Sequence, residues 1–203
     1  MLSMVVAILV STIEPVPVAG GVSPDGAFEV ALEADHDTPR FVEYEFKGGD
    51  EQFPAVLVLE RGRGTLVRRV PWPGAASETE VLLRNRTQVK WRSDSAAVAI
   101  NTRDAFYAHS LVLALDPKRG RFAEVPIPPY AELTGRLTPP DERLRSRGRN
   151  IAINWTPEGL LAFEVWLWGD VDYPISYRVS LRLSGGRFVV QDRKPIVEGT
   201  PSW

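Results

Sequence analysis

Trp91-Arg92-Ser93-Asp94-Ser95-Ala96-Ala97-Val98-Ala99-Ile100 reads as the end of one strand, a tight turn and the start of a second strand. Ser and Asp favour such a turn because their short side chains bond the backbone two residues on. The residues that follow alternate small and β-branched, the pattern of a strand with two unlike faces. Two further stretches repeat it: Val22-Ser23-Pro24-Asp25-Gly26-Ala27-Phe28 and Trp155-Thr156-Pro157-Glu158-Gly159-Leu160-Leu161.

Each copy is followed by a second hairpin. Val56–Val67 turns at Arg61-Gly62-Arg63-Gly64, Leu111–Phe122 at Asp116-Pro117-Lys118-Arg119-Gly120, and Val179–Val189 at Ser184-Gly185-Gly186. The aromatic and the second-turn glycine stand 29 residues apart in the second unit (91 to 120) and 31 in the third (155 to 186). The first unit needs 42 (22 to 64), so it carries an insertion, placed at Asp35–Gln52. Period-2 alternation recurs along the chain and helical periodicity is scarce. The pattern predicts an all-β fold of three blade-like, four-stranded antiparallel meanders. Their expected limits are 21–74, 79–127 and 150–192, within one domain over 21–192, with 193–203 as a C-terminal tail. The Pro- and Arg-rich stretch Pro128–Asn150 is a long connection, with one helical turn expected at Pro140–Leu144.

Two hairpins per unit, the first turning through a Trp-x-Pro-Asp-Gly-like sequence, resemble the four-stranded blade of the Tol-type β-propeller repeat. The likeness rests on short motifs across residues 18 to 192, and it departs from the pattern at Val22, Ser93, Ser95 and Glu158. It implies an open or partial propeller-like assembly. Propellers usually close with four to eight blades, so three copies leave alternatives: an open stack, a closed small propeller, a dimer completing a six-bladed ring through exposed edges, or a β-sandwich.

Composition bounds the function. The chain has 203 residues, 44% hydrophobic and 25% charged, with a net charge of −2, which gives no global case for nucleic-acid binding. Without Cys there is neither a thiolate nucleophile nor a disulfide framework. No run reaches the ~20 apolar residues of a membrane span. Residues 1–20, with the apolar Met4–Val10 and the small residues Val18-Ala19-Gly20, fit a secretory signal lacking its basic start, or a first strand. A periplasmic or secreted location is the expectation, with a cytoplasmic one as the alternative.

Little in the sequence points to chemistry. Two histidines, His36 and His109, are too few for a multi-His metal site, and no catalytic constellation or cofactor motif is read. The stretch Glu164-Val165-Trp166-Leu167-Trp168-Gly169-Asp170-Val171-Asp172 carries the candidate ligand-binding residues. Alternation puts Glu164, Trp166 and Trp168 on one face, leading to Asp170 and Asp172, an indole-and-carboxylate set able to hold a sugar ring or a partner's apolar side chain. The alternative is that the two indoles pack between blades. Arg136, Arg143, Arg145, Arg147 and Arg149 make the long connection basic, as a solvated loop or as a dock for an acidic partner. The expected function is a non-enzymatic repeat module that binds a protein or peptide partner. A carbohydrate-binding or carbohydrate-processing domain using the Trp166/Trp168 strand is the alternative.

Overall fold

The computed structural model describes residues 15–34, 52–71, 82–83, 86–103, 108–135, 148–167 and 175–196. They form three four-stranded antiparallel meanders, none closed into a barrel. The first comprises β1 (Pro15–Val22), β2 (Phe28–Glu33), β4 (Ala55–Glu60) and β5 (Thr65–Pro71). A two-residue pair, β3 (Gln52–Phe53) with β6 (Leu82–Leu83), stands apart from it. The second contains β7 (Thr87–Trp91), β8 (Ala97–Arg103), β9 (Ala108–Asp116) and β10 (Arg121–Glu124). The third contains β11 (Gly148–Trp155), β12 (Leu160–Leu167), β13 (Ile175–Ser184) and β14 (Arg187–Pro195).

The limits differ from the expected ones at both ends. β1 begins at Pro15, inside the segment read as signal or strand, and β14 runs to Pro195, beyond the expected end at 192. β1 is hard to read because Pro15, Pro17, Gly20 and Gly21 all disfavour a strand interior. It is an edge strand, where proline is tolerated, and its pairing with β2 is irregular between Pro17 and Val22. Val18 is nevertheless a core residue, so the small-residue stretch read as a cleavage site is built into the first sheet. One short helix, α1 (Tyr130–Thr134), occurs after β10. The helical turn expected at Pro140–Leu144 and the strand expected at Phe41–Phe46 lie outside the described residues.

The second sheet is sandwiched between the other two. Its Val98, Ile100, Leu111, Leu113 and Phe122 pack against Val18, Val30, Leu32, Val56 and Val58 of the first unit. Its Ala99 and Val112 pack against Leu161, Phe163, Val165, Val179 and Leu181 of the third. This is what the alternation Ala97-Val98-Ala99-Ile100 encodes: all four are fully buried, and successive residues of a strand point to opposite faces. Small residues toward the third unit leave room for Leu161 and Phe163, whereas β-branched residues fill the gap to the first.

An indole crosses each seam. Trp91 donates its Nε1–H to the Gly21 carbonyl at 2.8 Å, and Trp155 donates its own to the Lys90 carbonyl at 3.0 Å. Gly21 and Lys90 are equivalent, each standing one residue before the aromatic position of its unit. The first unit has Val22 there, 41% exposed and without an indole donor. Phe122 reinforces the first seam, edge-on to Phe28 at 5.1 Å and to Trp91 at 5.9 Å.

The second seam has a polar lock as well. Asn101, 2% exposed, donates Nδ2–H to the Ala152 carbonyl and accepts the Ala152 N–H at 3.2 Å. Its carboxamide acts as a one-residue strand partner for β11, where the register with β12 shifts between Ala152 and Asn154. The Ser110 hydroxyl donates to Asn101 Oδ1 at 2.6 Å and accepts from Ala152 N–H at 2.9 Å. Nearby, one parallel bridge, Arg149 to Ala108, joins the second and third sheets.

Trp91→Phe and Trp155→Phe keep an aromatic ring but delete the N–H and shrink the indole to a phenyl, so each should lower the unfolding free energy by about 2 kcal/mol in urea titrations. Asn101→Ala strips the buried Ala152 carbonyl of its donor and should cost more, about 2–3 kcal/mol in the same assay.

Candidate functional site

Two of the five residues singled out from the sequence, Glu164 and Trp166, are described with their side chains. Trp168, Asp170 and Asp172 lie outside the described residues, as do Asp35, His36 and Asp37. β12 presents Glu164 and Trp166 on the outer face of the third unit, opposite the core-facing Phe163 and Val165. That placement follows the alternation, but exposure does not. Glu164 is 0% and Trp166 2% exposed.

The two are bound to each other. Trp166 donates Nε1–H to Glu164 Oε2 at 3.1 Å, and Arg178, directly across on β13, donates from Nε and Nη2 to Glu164 Oε1. A carboxylate taken wholly from water requires such a set of charge-assisted donors. Trp166 is therefore an anchor for Glu164 in this structure and does not present an open ring. Arg178 reaches from this buried acid to the surface, its side chain 55% exposed.

Ser110 is likewise structural, its hydroxyl committed to Asn101 and Ala152. His109 precedes it on β9, so the two side chains leave opposite faces of the strand. Among the described residues no three or more His, Asp or Glu are grouped as metal ligands would be, and no helix is long and apolar enough to cross a membrane.

An open cleft of about 600 Å³ lies between the first turns of the second and third units. Arg92, Ser93 and Asp94 form one wall, Pro157, Glu158 and Gly159 another, and Arg182, Leu183 and Ser184 of β13 complete it. The three repeated turns share one hydrogen bond, from the fourth turn residue back to the first: Gly26 to Ser23, Ser95 to Arg92 and Gly159 to Thr156, each at 2.9 Å. That fourth residue has positive φ in all three, at 72°, 59° and 76°. Ser95 thus keeps the conformation that glycine adopts more readily. Its hydroxyl compensates by accepting the Asp25 N–H at 3.1 Å, tying the first turn to the second.

Arg92 organises the cleft. It forks onto Asp94 at 2.7 and 2.8 Å, and its guanidinium lies 5.7 Å from the Trp155 ring centroid. The Arg92 fork is the main reason the Asp94 carboxyl sits below its ordinary value, with the Ala96 N–H adding to it. Asp25 is lowered chiefly by the Ser23 hydroxyl, which donates to it at 2.7 Å, and Glu158 chiefly by the Thr156 hydroxyl. All three turn carboxylates are thus held in their charged form.

Arg92, Glu158 and Arg182 were not singled out from the sequence, because nothing local says that residues 92, 158 and 182 converge. One signal was present. Ser176-Tyr177-Arg178-Val179-Ser180-Leu181-Arg182-Leu183-Ser184 places serine and arginine alternately on the face opposite its apolar residues. Comparison of the chain with protein-family models, curated proteins and solved structures finds no match to any of them.

A carboxyl lowered in the folded state adds stability above its ordinary value and loses that contribution as acid protonates it. Stability should therefore decline as pH falls through and below 3.8, the ordinary aspartate value. Asp94→Asn should flatten that decline, measured as urea midpoints across an acidic pH series.

Proposed function

We propose that this chain is a non-enzymatic binding module whose partner is a protein or peptide, acting outside the cytoplasm. The observation that carries the reading is the cleft between the repeated turns. It is open and lined by arginine and carboxylate groups together, with Arg92, Asp94, Glu158 and Arg182 on its walls. Small-molecule sites enclose most of their ligand in largely apolar surroundings. A wide polar trough instead suits an extended polypeptide, which offers a backbone donor and acceptor at every residue and side chains of either sign.

The framework supports this use. Sheets stacked through two cores and two indole bridges hold the turns in fixed relation, so the trough is preorganised and little conformational entropy is lost on binding. The outer strands β5 and β14 each pair on one side within the described residues, which gives a partner further edges to meet. Export is supported by the apolar run Met4–Val10, as a signal cut before Pro15 and so leaving β1 intact.

A random peptide display library panned against the full chain tests the reading. Selection of a recurring peptide, and loss of its binding in the charge-reversed variant Glu158→Lys/Arg182→Glu, is the expected result. Failure to enrich any peptide would sink the reading.

A further inference from the structure

The outer face of the third unit is built as a cationic grid. β13 sends Ser176, Arg178, Ser180, Arg182 and Ser184 to that face, while Val179 and Leu181 fill the core behind it. β14 sets Lys194 opposite Arg178, Asp192 opposite Ser180, Val189 opposite Arg182 and Arg187 opposite Ser184. Directly paired residues on antiparallel strands share a face, so Arg178, Arg182, Arg187 and Lys194 project on the same side. The hairpin carries five cations, the fifth being Arg193, against the single carboxylate Asp192. The whole chain, by contrast, has a net charge of −2.

Such a concentration works against folding. Like charges directly opposite on a sheet repel, and Arg178 faces Lys194. The fold offsets only part of this. Glu164 neutralises Arg178 from below, Asp192 lies 3.4 Å from Lys194, and Arg193 turns away to the Glu132 and Leu133 carbonyls at the end of α1. Arg182 and Arg187 have no acidic partner among the described residues. Both are exposed, and Arg182 also lines the cleft, so the grid and the trough are one continuous surface.

We propose that this surface recognises an acidic, extended polypeptide segment, its carboxylates held by Arg182, Arg187 and Lys194. This names the partner class for the module reading and rests on it. Lys194 stands across from Arg178 and so lies four strand positions, about 13 Å, from the level of Arg182, the spacing of every second same-face side chain on another extended chain. β14 ends the sheet among the described residues, so its free N–H and C=O groups lie beside the cations, available to a peptide backbone. A nucleic acid has no use for that edge.

Fluorescence anisotropy with the full chain and a labelled peptide alternating Glu and Thr tests the proposal. A Lys/Thr peptide and single-stranded oligothymidylate of the same length serve as comparisons. The expected result is saturable binding of the acidic peptide alone, weakening as salt is raised. Arg182→Ser/Arg187→Ser should weaken it by roughly tenfold, and Arg119→Ser, on the exposed second turn of the middle unit, should leave it unchanged. Both exposed arginines can be removed without touching the core, and circular dichroism confirms that the variant folds. Equal binding by wild type and the double variant, no binding at all, or equal affinity for the oligonucleotide would overturn the acidic-peptide assignment. Library peptides that bind without acidic residues would overturn it too while leaving the module reading standing, whereas a library that yields nothing removes both.

Discussion

A single hydrogen bond, repeated at each seam, holds the units in order. The indole N–H at the end of one unit's first strand reaches the main-chain carbonyl just before the matching position of the preceding unit. A main-chain carbonyl oxygen has two lone pairs, so it can accept the indole N–H of the next unit beside a bond of its own ladder. Tryptophan brings that donor on a large apolar ring, so one side chain both satisfies the carbonyl and excludes water from the seam. The rest follows from this registration. Once Trp91 and Trp155 fix the first strands, the faces of the second sheet meet Val30 and Leu32 on one side and Phe163 and Leu181 on the other.

The turns at the ends of those strands depend on the same registration. Ser95 occupies a backbone conformation suited to glycine, and its hydroxyl accepts the Asp25 N–H of the neighbouring turn. Arg92 lies over the next unit's Trp155 while forking onto Asp94 of its own turn. At Ser95 the departure from the repeated motif is therefore also a contact between copies. A unit with glycine at 95 would keep its turn and lose the tie.

The outer face of the third unit divides by depth. Glu164 and Trp166 sit within it as a closed set with Arg178, whereas Arg182, Arg187 and Lys194 stand out from it. A buried, fully hydrogen-bonded carboxylate is a structural anchor and a poor contact for a ligand. Arg182 and Arg187, exposed and with no acidic partner among the described residues, are the groups that the proposed acidic peptide would meet. The side chains of Arg136, Arg143, Arg145, Arg147 and Arg149, which make the long connection basic, lie outside the described residues; the cationic set on the β13–β14 hairpin is a separate feature.

The amino-acid sequence by itself determined the all-β class, the three copies, the second-hairpin turns and the face on which Glu164 and Trp166 lie. These are local properties. Alternation assigns a face through the period of the strand, and Gly-Gly or Pro-Asp-Gly assigns a turn through allowed φ. β1 escaped because Pro15 and Pro17 are tolerated only at an edge, and edge position is settled by which strands pair. Burial of Trp166, the meeting of Arg92, Glu158 and Arg182 at one cleft, and the matching of Asn101 to the peptide of Ala152 were decided by tertiary structure alone. Asn101 and Ala152 are 51 residues apart, and no short-range pattern couples them. Period and propensity act over a few residues, whereas burial and convergence depend on which sheet stacks upon which.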